Sequence, residues 1–161
     1  MKRPLAIIAL GSNLGDARAN VLRAIECLGE LSDGPLLKSS LHETAPEDCP
    51  PGSPRFVNAV VALQPRAEQT PESLLLALQE IERDFGRQPK KVLNEPRPLD
   101  LDLIAFGDET RNTPFLVLPH PRAHQRRFVL EPLSEIAPEL VLPGQGKTAA
   151  ELLGELPPSR H

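Results

Sequence analysis

Hydrophobic and polar positions alternate along this chain with two different periods, which separate predicted strands from predicted helices. The apolar run from Leu5 to Leu10 predicts a first strand, and it ends at the turn from Gly11 to Asp16. Apolar residues then recur at helical spacing at positions 21, 22, 25, 28 and 31, and the residues Asp33-Gly34-Pro35 end this helix. The chain therefore opens with a strand, a glycine-containing turn and an amphipathic helix.

The next segment continues with the same two periods. A second strand is expected over Leu36 to Glu43, and a proline-rich loop from Thr44 to Arg55 separates it from a third strand, Phe56 to Leu63. A helix that begins at Thr70-Pro71 buries positions 74, 75, 78, 81 and 85 and ends at Gly86. A polar, basic loop from Arg87 to Pro98 leads to a fourth strand, Leu99 to Phe106.

Strand, helix, strand, strand, helix, strand is the order of a ferredoxin-like α+β fold, a βαββαβ layer with two helices on one face of an antiparallel sheet. The residues beyond it predict extra C-terminal elements, which are a hairpin near Thr113 to Leu118, a short helix or turn over Arg126 to Leu133, an extended stretch from Pro138 to Leu142 and a helix from Thr148 to Leu156. With 161 residues, the chain is expected to form one domain over residues 1–161.

The fourth strand carries two acidic residues where a strand normally has none. Asp100 and Asp102 point to one face while Leu99, Leu101 and Leu103 point to the other, because side chains alternate along a strand. The two Cα atoms would lie roughly 7 Å apart. Carboxylates this close favour bound cations, and such a pair can hold two magnesium ions about 4 Å apart around phosphates. The competing interpretation is a solvated or salt-bridged strand face.

The composition of the chain limits the kinds of ligand and partner that it is expected to bind. The net charge is −4 and no block of like charges occurs, so a small nucleotide is a better candidate than a nucleic acid. Only two cysteines occur, without the spacing of a zinc site or a disulfide framework. The first apolar stretch is too short for a signal peptide and runs directly into a glycine turn. We expect a cytoplasmic, monomeric protein that does not associate with membranes.

Basic and aromatic residues lie near the acidic strand in the sequence. One basic cluster precedes it, at Arg87, Lys90, Lys91 and Arg97, and a second follows the hairpin, at His120, Arg122, His124, Arg126 and Arg127. Phosphate oxygens suit such cations, arginine above all. Neither a P-loop nor a dinucleotide-binding motif is present. Phe56 and Phe128 are candidates to sandwich a planar heterocycle, with the Asn58 amide at its edge; ordinary core packing is the alternative.

Several blocks in order, Gly11-Ser12-Asn13-Leu14-Gly15, Phe56-Val57-Asn58-Ala59, Pro96-Arg97-Pro98-Leu99-Asp100-Leu101-Asp102, Leu118-Pro119-His120 and the run from Pro132 to Leu140, resemble the 6-hydroxymethyl-7,8-dihydropterin pyrophosphokinase family of folate biosynthesis. The resemblance implies a ferredoxin-like fold and transfer of the β,γ-pyrophosphoryl group of ATP to the hydroxymethyl group of the pterin, which gives AMP. ATP and hydroxymethyl-dihydropterin would then be the substrates, with magnesium as the metal.

The resemblance also implies roles for particular residues. Asp100 and Asp102 would hold two magnesium ions, and Arg87 and Arg97 would join them as catalytic residues. The pterin pocket would consist of Thr44, Phe56, Asn58 and Phe128. Gln79 and Glu82 would line the nucleotide side, and the phosphates would face Arg87, Arg97, His120 and Arg126.

The chain departs from the family pattern in the loop before Pro96. Leu93, Asn94 and Glu95 stand where the family usually has arginine, an aromatic residue and a small residue. A cation and a flat apolar cover are lost and an anion is gained, so weaker ATP binding is expected unless Lys90 or Lys91 pairs with Glu95.

Two other functions fit the residues. A metal-dependent nucleotidyltransferase could use the same carboxylate pair and would release pyrophosphate instead of AMP. A non-catalytic nucleotide- or pterin-binding member of the family is the third possibility, and the altered loop is its best support.

Overall fold

The computed structural model describes residues 4–13, 15–44, 55–86 and 99–157, in which helices cover a central antiparallel sheet. The elements are β1 (Ala6–Ser12), α1 (Ala17–Leu31), β2 (Leu37–Lys38), β3 (His42–Thr44), β4 (Phe56–Leu63), α2 (Pro71–Asp84), β5 (Asp100–Phe106), β6 (Arg111–Asn112), β7 (Val117–Leu118), a 3-10 turn (Ala123–Gln125), α3 (Arg127–Ile136) and α4 (Ala149–Gly154).

The central sheet has the strand order expected for the ferredoxin-like layer. β4 and β1 lie in the middle, β5 pairs with β1 at one edge, and β2 and β3 pair in succession with β4 at the other. Every pairing in the sheet is antiparallel. The predicted fold class is therefore confirmed.

Both faces of the sheet are buried, each under a different pair of helices. Leu28 of α1 and Leu78 of α2 pack with Ile8 on one face. Val129 and Leu133 of α3 pack with Ile7 on the other, together with Ala149 of α4. Two helices on one face were expected; the C-terminal helices cover the opposite face, because α3 is longer than predicted and buries one side of an amphipathic helix.

The main helices begin at residues that the sequence marks as caps. The Asp16 carboxylate accepts a hydrogen bond from the Ala19 amide at 3.1 Å and starts α1. Thr70 and Ser73 form a reciprocal capping box at the start of α2, where Pro71 occupies the first turn. The helix boundaries thus follow from local side-chain chemistry.

The second strand differs from its prediction as one continuous segment from Leu36 to Glu43. Residues 39–41 interrupt it, and they lie opposite only residues 59–60 of β4, so one extra residue is inserted. The Ser39 hydroxyl accepts a hydrogen bond from the Val60 amide at 3.0 Å and replaces a backbone partner at this point. The bulge sets which face His42 and Thr44 occupy.

The C-terminal segment is only partly extended. The hairpin lies where it was expected, with β6 and β7 on either side of residues 113–116. Residues 138–142 were predicted to be extended, but they contribute a single bridge, between Val141 and Thr148. Across the described ranges, no helix is long and apolar enough to cross a bilayer.

Candidate active site

A row of three residues crosses the sheet near the end of β1. Asn58 of β4 and Asp100 of β5 both pair with Gly11 of β1, from opposite sides. Directly paired residues of antiparallel strands share a face, so the amide and the carboxylate lie on the face that α3 covers farther along. A methyl group on Gly11 would come to 3.2 Å from Asn58 Oδ1. The glycine therefore leaves an open floor between the two polar side chains.

The position of Gly11 inside a strand was not predicted. The sequence suggested a turn that begins at this glycine, whereas β1 continues through Gly11 and Ser12. The signal for the turn was glycine itself, but a glycine in a strand also marks close approach of other groups. Only the pairing with Asn58 and Asp100 distinguishes the two cases.

The acidic strand has the orientation that its alternation predicts. Asp100 and Asp102 are half-buried, while Leu99, Leu101 and Leu103 are buried on the opposite face. A bulge after Leu103 then turns both Ile104 and Ala105 to the α3 side. Two carboxylates thus share one face at the end of the sheet where side chains remain accessible.

Glu82 supports this strand from below. Glu82 is 3% exposed, and its carboxylate accepts a hydrogen bond from the Leu101 amide at 2.7 Å. β5 is an edge strand, so an outward amide between the two aspartates would otherwise need another partner. Glu82 was expected to line the nucleotide side; the structure places its carboxylate under the backbone that connects Asp100 to Asp102.

The opposite end of the row contains an internally bonded amide. Asn58 is 5% exposed, and its Nδ2 donates a hydrogen bond to Thr44 Oγ1 at 2.8 Å. Phe56 pairs with Thr44 across β3 and β4, and its ring lies 3.8 Å from the point that a methyl group on Gly11 would occupy. Three of the four predicted pterin-pocket residues therefore lie together on one sheet face.

A polar network connects this end to α3, which carries the fourth residue, Phe128. His42 Nδ1 lies 3.3 Å from Glu131 Oε1, and His42 Nε2 contacts Glu135 Oε1. Ser40 also donates to Glu135. Burial raises the pKa of Glu135, but the hydrogen bonds from His42 and Ser40 outweigh it, so that the pKa lies below its ordinary value. The network fixes α3 against β3.

Phe128 and Arg126 form a stacked pair at the start of α3. The Arg126 guanidinium lies 5.3 Å from the centre of the Phe128 ring, within the range of a cation–π contact. Both side chains are half-buried. The residue expected to stack on the pterin and one expected to face phosphate are thus neighbours.

Predicted nucleotide residues meet on the other side of Asp102. Gln79 of α2, Asp102 and His120 line a cleft of about 320 Å³ between α2, β5 and the hairpin. The His120 amide donates to the Ile104 carbonyl at 2.8 Å, which holds this residue beside β5. Ligand sites commonly have this size and this mixture of apolar walls and few polar groups.

His120 is arranged as a neutral donor. Its Nδ1 accepts a hydrogen bond from the Arg122 amide at 3.3 Å, which leaves Nε2 to carry the proton. Burial lowers the pKa of His120, and the charges of Arg126 and Arg122 lower it further, while Asp100 opposes them. The imidazole is therefore within the electrostatic influence of Asp100, Arg122 and Arg126.

Arg87 and Arg97, with the altered loop positions 93–95, lie outside the described residues. In the ranges that the structure does describe, no group of three or more His, Cys, Asp or Glu side chains is arranged to hold a metal ion. The carboxylate pair alone fits magnesium, because this ion is commonly bound by one or two carboxylates and completes its shell with phosphates and water.

Comparison with known proteins decides the family. Residues 7–138 match the family model for 7,8-dihydro-6-hydroxymethylpterin-pyrophosphokinase. The chain belongs to this pyrophosphokinase family. It is 39% identical over 150 residues to the 2-amino-4-hydroxy-6-hydroxymethyldihydropteridine pyrophosphokinase of Pseudomonas aeruginosa, a match that covers 93% of this chain and 90% of the relative. The Bacillus subtilis enzyme of the same name is 37% identical and matches 84% of the chain and 80% of the relative.

The pyrophosphokinase also shares its fold with a solved structure. The HPPK-DHPS protein of Plasmodium falciparum with pteroate superposes with a TM-score of 0.72 at 14% identity, over 96% of this chain and 44% of that longer chain. The chain is an enzyme that transfers pyrophosphate from ATP to hydroxymethyl-dihydropterin in folate synthesis. Neither the nucleotidyltransferase nor the non-catalytic alternative is favoured by the family match.

Proposed function

We propose that the pyrophosphoryl transfer takes place over the row Asn58, Gly11 and Asp100, with the pterin at the Asn58 end and the triphosphate at the Asp100 end. The register that aligns these residues on one sheet face supports the proposal most directly. It brings the Asn58 amide and the Asp100 carboxylate to either side of a residue without a side chain. Holding two substrates in reacting geometry supplies much of the rate in such transfers.

Asp100 and Asp102 would hold two magnesium ions. Their carboxylates are half-buried on a common face and offer the hard oxygen ligands that this ion prefers. When bound, magnesium neutralises phosphate charge and activates the hydroxyl of the acceptor, so a dedicated general base is not required. Glu82 contributes by holding the backbone between the two carboxylates in place.

The pterin would be recognised by hydrogen bonds to its edge and by aromatic rings stacked on its faces. Thr44 and Asn58 orient each other through their own hydrogen bond, which leaves the remaining Asn58 amide hydrogen and carbonyl for a heterocycle edge. Phe56 and Phe128 would stack on the ring faces. Stacking on the ring face that Arg126 now covers would release the guanidinium toward the phosphates.

On the nucleotide side, Gln79, His120 and Arg126 would contact ATP. His120 would donate from Nε2 as a neutral imidazole, because its lowered pKa keeps it uncharged near neutral pH. Arg87 and Arg97 would add positive charge near the transferred group, where arginine is worth most during the reaction. We further propose that the enzyme acts as a cytoplasmic monomer, which light scattering and cell fractionation would test.

The decisive experiment incubates the purified chain with ATP, magnesium and hydroxymethyl-dihydropterin and identifies both products. The proposal expects AMP and the pterin pyrophosphate in equal amounts, and no product when magnesium is removed by a chelator. Release of free pyrophosphate, or binding of both substrates without product, would contradict it.

The altered loop gives a second test. Because Leu93, Asn94 and Glu95 replace a cation, a flat cover and a small residue, the triple change Leu93→Arg, Asn94→Trp and Glu95→Gly should lower the KM for ATP. The KM for the pterin serves as the internal control. An unchanged KM for ATP would mean that these positions do not weaken nucleotide binding.

A further inference from the structure

His42 extends the row of Asn58, Gly11 and Asp100 by one strand. It pairs directly with Asn58 across β3 and β4, so the two side chains lie on the same face of the sheet. Thr44 lies two residues farther along β3 and faces the same side. None of the roles proposed above uses His42.

Two glutamates of α3 hold the His42 ring from two sides. His42 Nδ1 lies 3.3 Å from Glu131 Oε1, and His42 Nε2 contacts Glu135 Oε1. The two nitrogens point in different directions, so the ring cannot turn without losing one of these contacts. The side chain of His42 is 22% exposed, against 44% and 37% for the two glutamates, so water partly screens the contacts and their contribution to stability is small. What they fix is the place of α3 relative to β3.

The same face of α3 carries the ring proposed to stack on the pterin. Phe128, Glu131 and Glu135 are spaced by three and four residues, which puts them on one side of the helix. Phe128 packs against the cluster that contains Ile7 and Val60 of the sheet. Any shift of the glutamates relative to β3 therefore moves the Phe128 ring as well.

The proposed pterin pocket has one wall on β3 and β4 and another on α3. Thr44 and Asn58 belong to the first wall, and Phe128 belongs to the second. His42 joins them, because its backbone pairs with Asn58 and its ring contacts α3. We propose that His42 is a positioning residue for pterin binding, which sets the spacing between the Phe128 ring and the Asn58 amide without contacting the substrate; this inference rests on the proposed function.

Calorimetry with His42→Leu tests the proposal. The Kd of hydroxymethyl-dihydropterin should be about fivefold higher than for the wild-type chain, the size expected when one ordinary hydrogen-bonded contact no longer supports the site. The Kd of magnesium α,β-methylene-ATP should be unchanged, and kcat at saturating substrates should stay within twofold. Lys147→Met is the matched control, because it removes another partly exposed contact, with Glu155, far along the chain from β3.

A double-mutant cycle shows whether His42 acts through Phe128. In a Phe128→Ala background there is no ring to position, so adding His42→Leu should raise the Kd of the pterin no further. Separate losses that multiply would overturn the proposal, since a bridge that only stabilises the fold has no reason to depend on this ring.

Fluorine NMR reports the position of the ring without any activity. The chain contains five phenylalanines, so fluorinated phenylalanine gives five signals, and leucine variants assign those of Phe128 and Phe85. The Phe128 signal should shift in His42→Leu. The Phe85 signal should not, because Phe85 packs with the cluster on the opposite face of the sheet.

A variant on the helix side keeps the proposal testable if His42→Leu perturbs β3. Glu131→Ala combined with Glu135→Ala removes the same contacts and leaves β3 unchanged, and alanine favours a helix. The same fivefold rise in the Kd of the pterin, and the same absence of a further rise with Phe128→Ala, are expected.

The outcomes distinguish failure of this inference from failure of the proposed function. If the wild-type chain binds the pterin but both sets of variants bind it within twofold of the wild type, or if the Phe128 signal does not move, His42 does not position the pocket and the proposed function stands. If the wild-type chain binds no hydroxymethyl-dihydropterin, the inference and the proposed function are both overturned.

Discussion

The row of Asn58, Gly11 and Asp100 has a proposed pterin end at Asn58 and a proposed nucleotide end at Asp100, and the two ends differ in how their side chains are held. At the pterin end, Asn58 is buried and already bonded to Thr44, and α3 is fixed beside it through His42. At the nucleotide end, Asp100 and Asp102 are half-buried carboxylates held in place through the backbone by Glu82. The Asn58 end is organised by its own hydrogen bonds, and the Asp100 end presents two carboxylates to which the proposal assigns cations. Under the proposed function, the enzyme would therefore bind the pterin through preformed hydrogen-bonding groups and the nucleotide through charge.

Removing one carboxylate should give the largest loss of activity and should leave pterin binding unchanged. Asp102→Asn keeps the size of the side chain but halves the charge of the pair, so kcat should fall at least about 100-fold, as when a group that stabilises developing charge is lost. Steady-state AMP release measures it. Asp108→Asn, in the exposed turn after β5, is the control and should retain full activity. A Kd for the pterin that rises in parallel would contradict the separation of the two ends.

Removing the Asn58 amide should weaken pterin binding and leave nucleotide binding unchanged. Asn58→Ala leaves Thr44 Oγ1 without its partner and removes the donor for the heterocycle, at a cost of about 2 kcal/mol, or roughly 30-fold in the KM for the pterin. Calorimetric binding of magnesium nucleotide should be unchanged. An equal loss at both substrates would mean that the row acts as one site without distinct ends.

A change under the acidic strand tests whether Glu82 supports the nucleotide end from within the fold. Glu82→Ala removes a buried acceptor, so the unfolding free energy should fall by about 1–3 kcal/mol. Hydrogen exchange at the Leu101 amide should accelerate more than at the Val61 amide of β4. The exposed Glu80→Ala, on the same helix, is the control. Unchanged exchange at Leu101 would remove the proposed support.

Adding a methyl group at Gly11 tests whether the space between Asn58 and Asp100 must stay open. Gly11→Ala brings a carbon to 3.2 Å from Asn58 Oδ1, so we expect a severalfold increase in the KM for the pterin and a loss of stability of about 1 kcal/mol. Gly29→Ala is the control: no neighbouring atom would contact its methyl group, and a helix gains up to about 1 kcal/mol from this change. Equal stability changes would contradict the crowding.

The smallest effect is a shift of the His120 pKa, followed by NMR. Arg126 lowers the pKa of His120, so Arg126→Ala should raise it; Asp100 acts in the opposite direction, so Asp100→Asn should lower it further. Because the folded-state pKa lies below the ordinary value, the unfolded chain binds this proton first. Stability should therefore fall as the pH drops below the ordinary value of about 6.5 toward the folded pKa. pKa shifts of the opposite sign would mean that Arg126 and Asp100 do not act on His120 as described.

Much of this architecture could be predicted because its signals are local. β4 spans the predicted residues Phe56–Leu63, and α2 begins at the predicted cap, since alternation and capping depend on neighbours in sequence. The facing of Asp100 and Asp102 followed from the same period of two. Local signals also located the hairpin.

The parts that sequence reasoning missed depend on partners far along the chain. Gly11 could not be assigned to β1 until β4 and β5 were paired with that strand. Glu82 has the helical position of a cleft residue, but its closeness to β5 brings its carboxylate to a backbone amide. The break in the second strand depends on the Ser39 hydroxyl meeting Val60, a contact across 21 positions.

The central claim is that Asp100 and Asp102 hold the divalent ions that bind the triphosphate, and counting bound manganese by electron paramagnetic resonance tests it most directly. In the presence of saturating α,β-methylene-ATP, the wild-type chain should bind two manganese ions. The combined Asp100→Asn and Asp102→Asn variant should lose at least one of them while keeping its fold and its affinity for the pterin. Two ions bound with unchanged affinity in that variant would contradict the account.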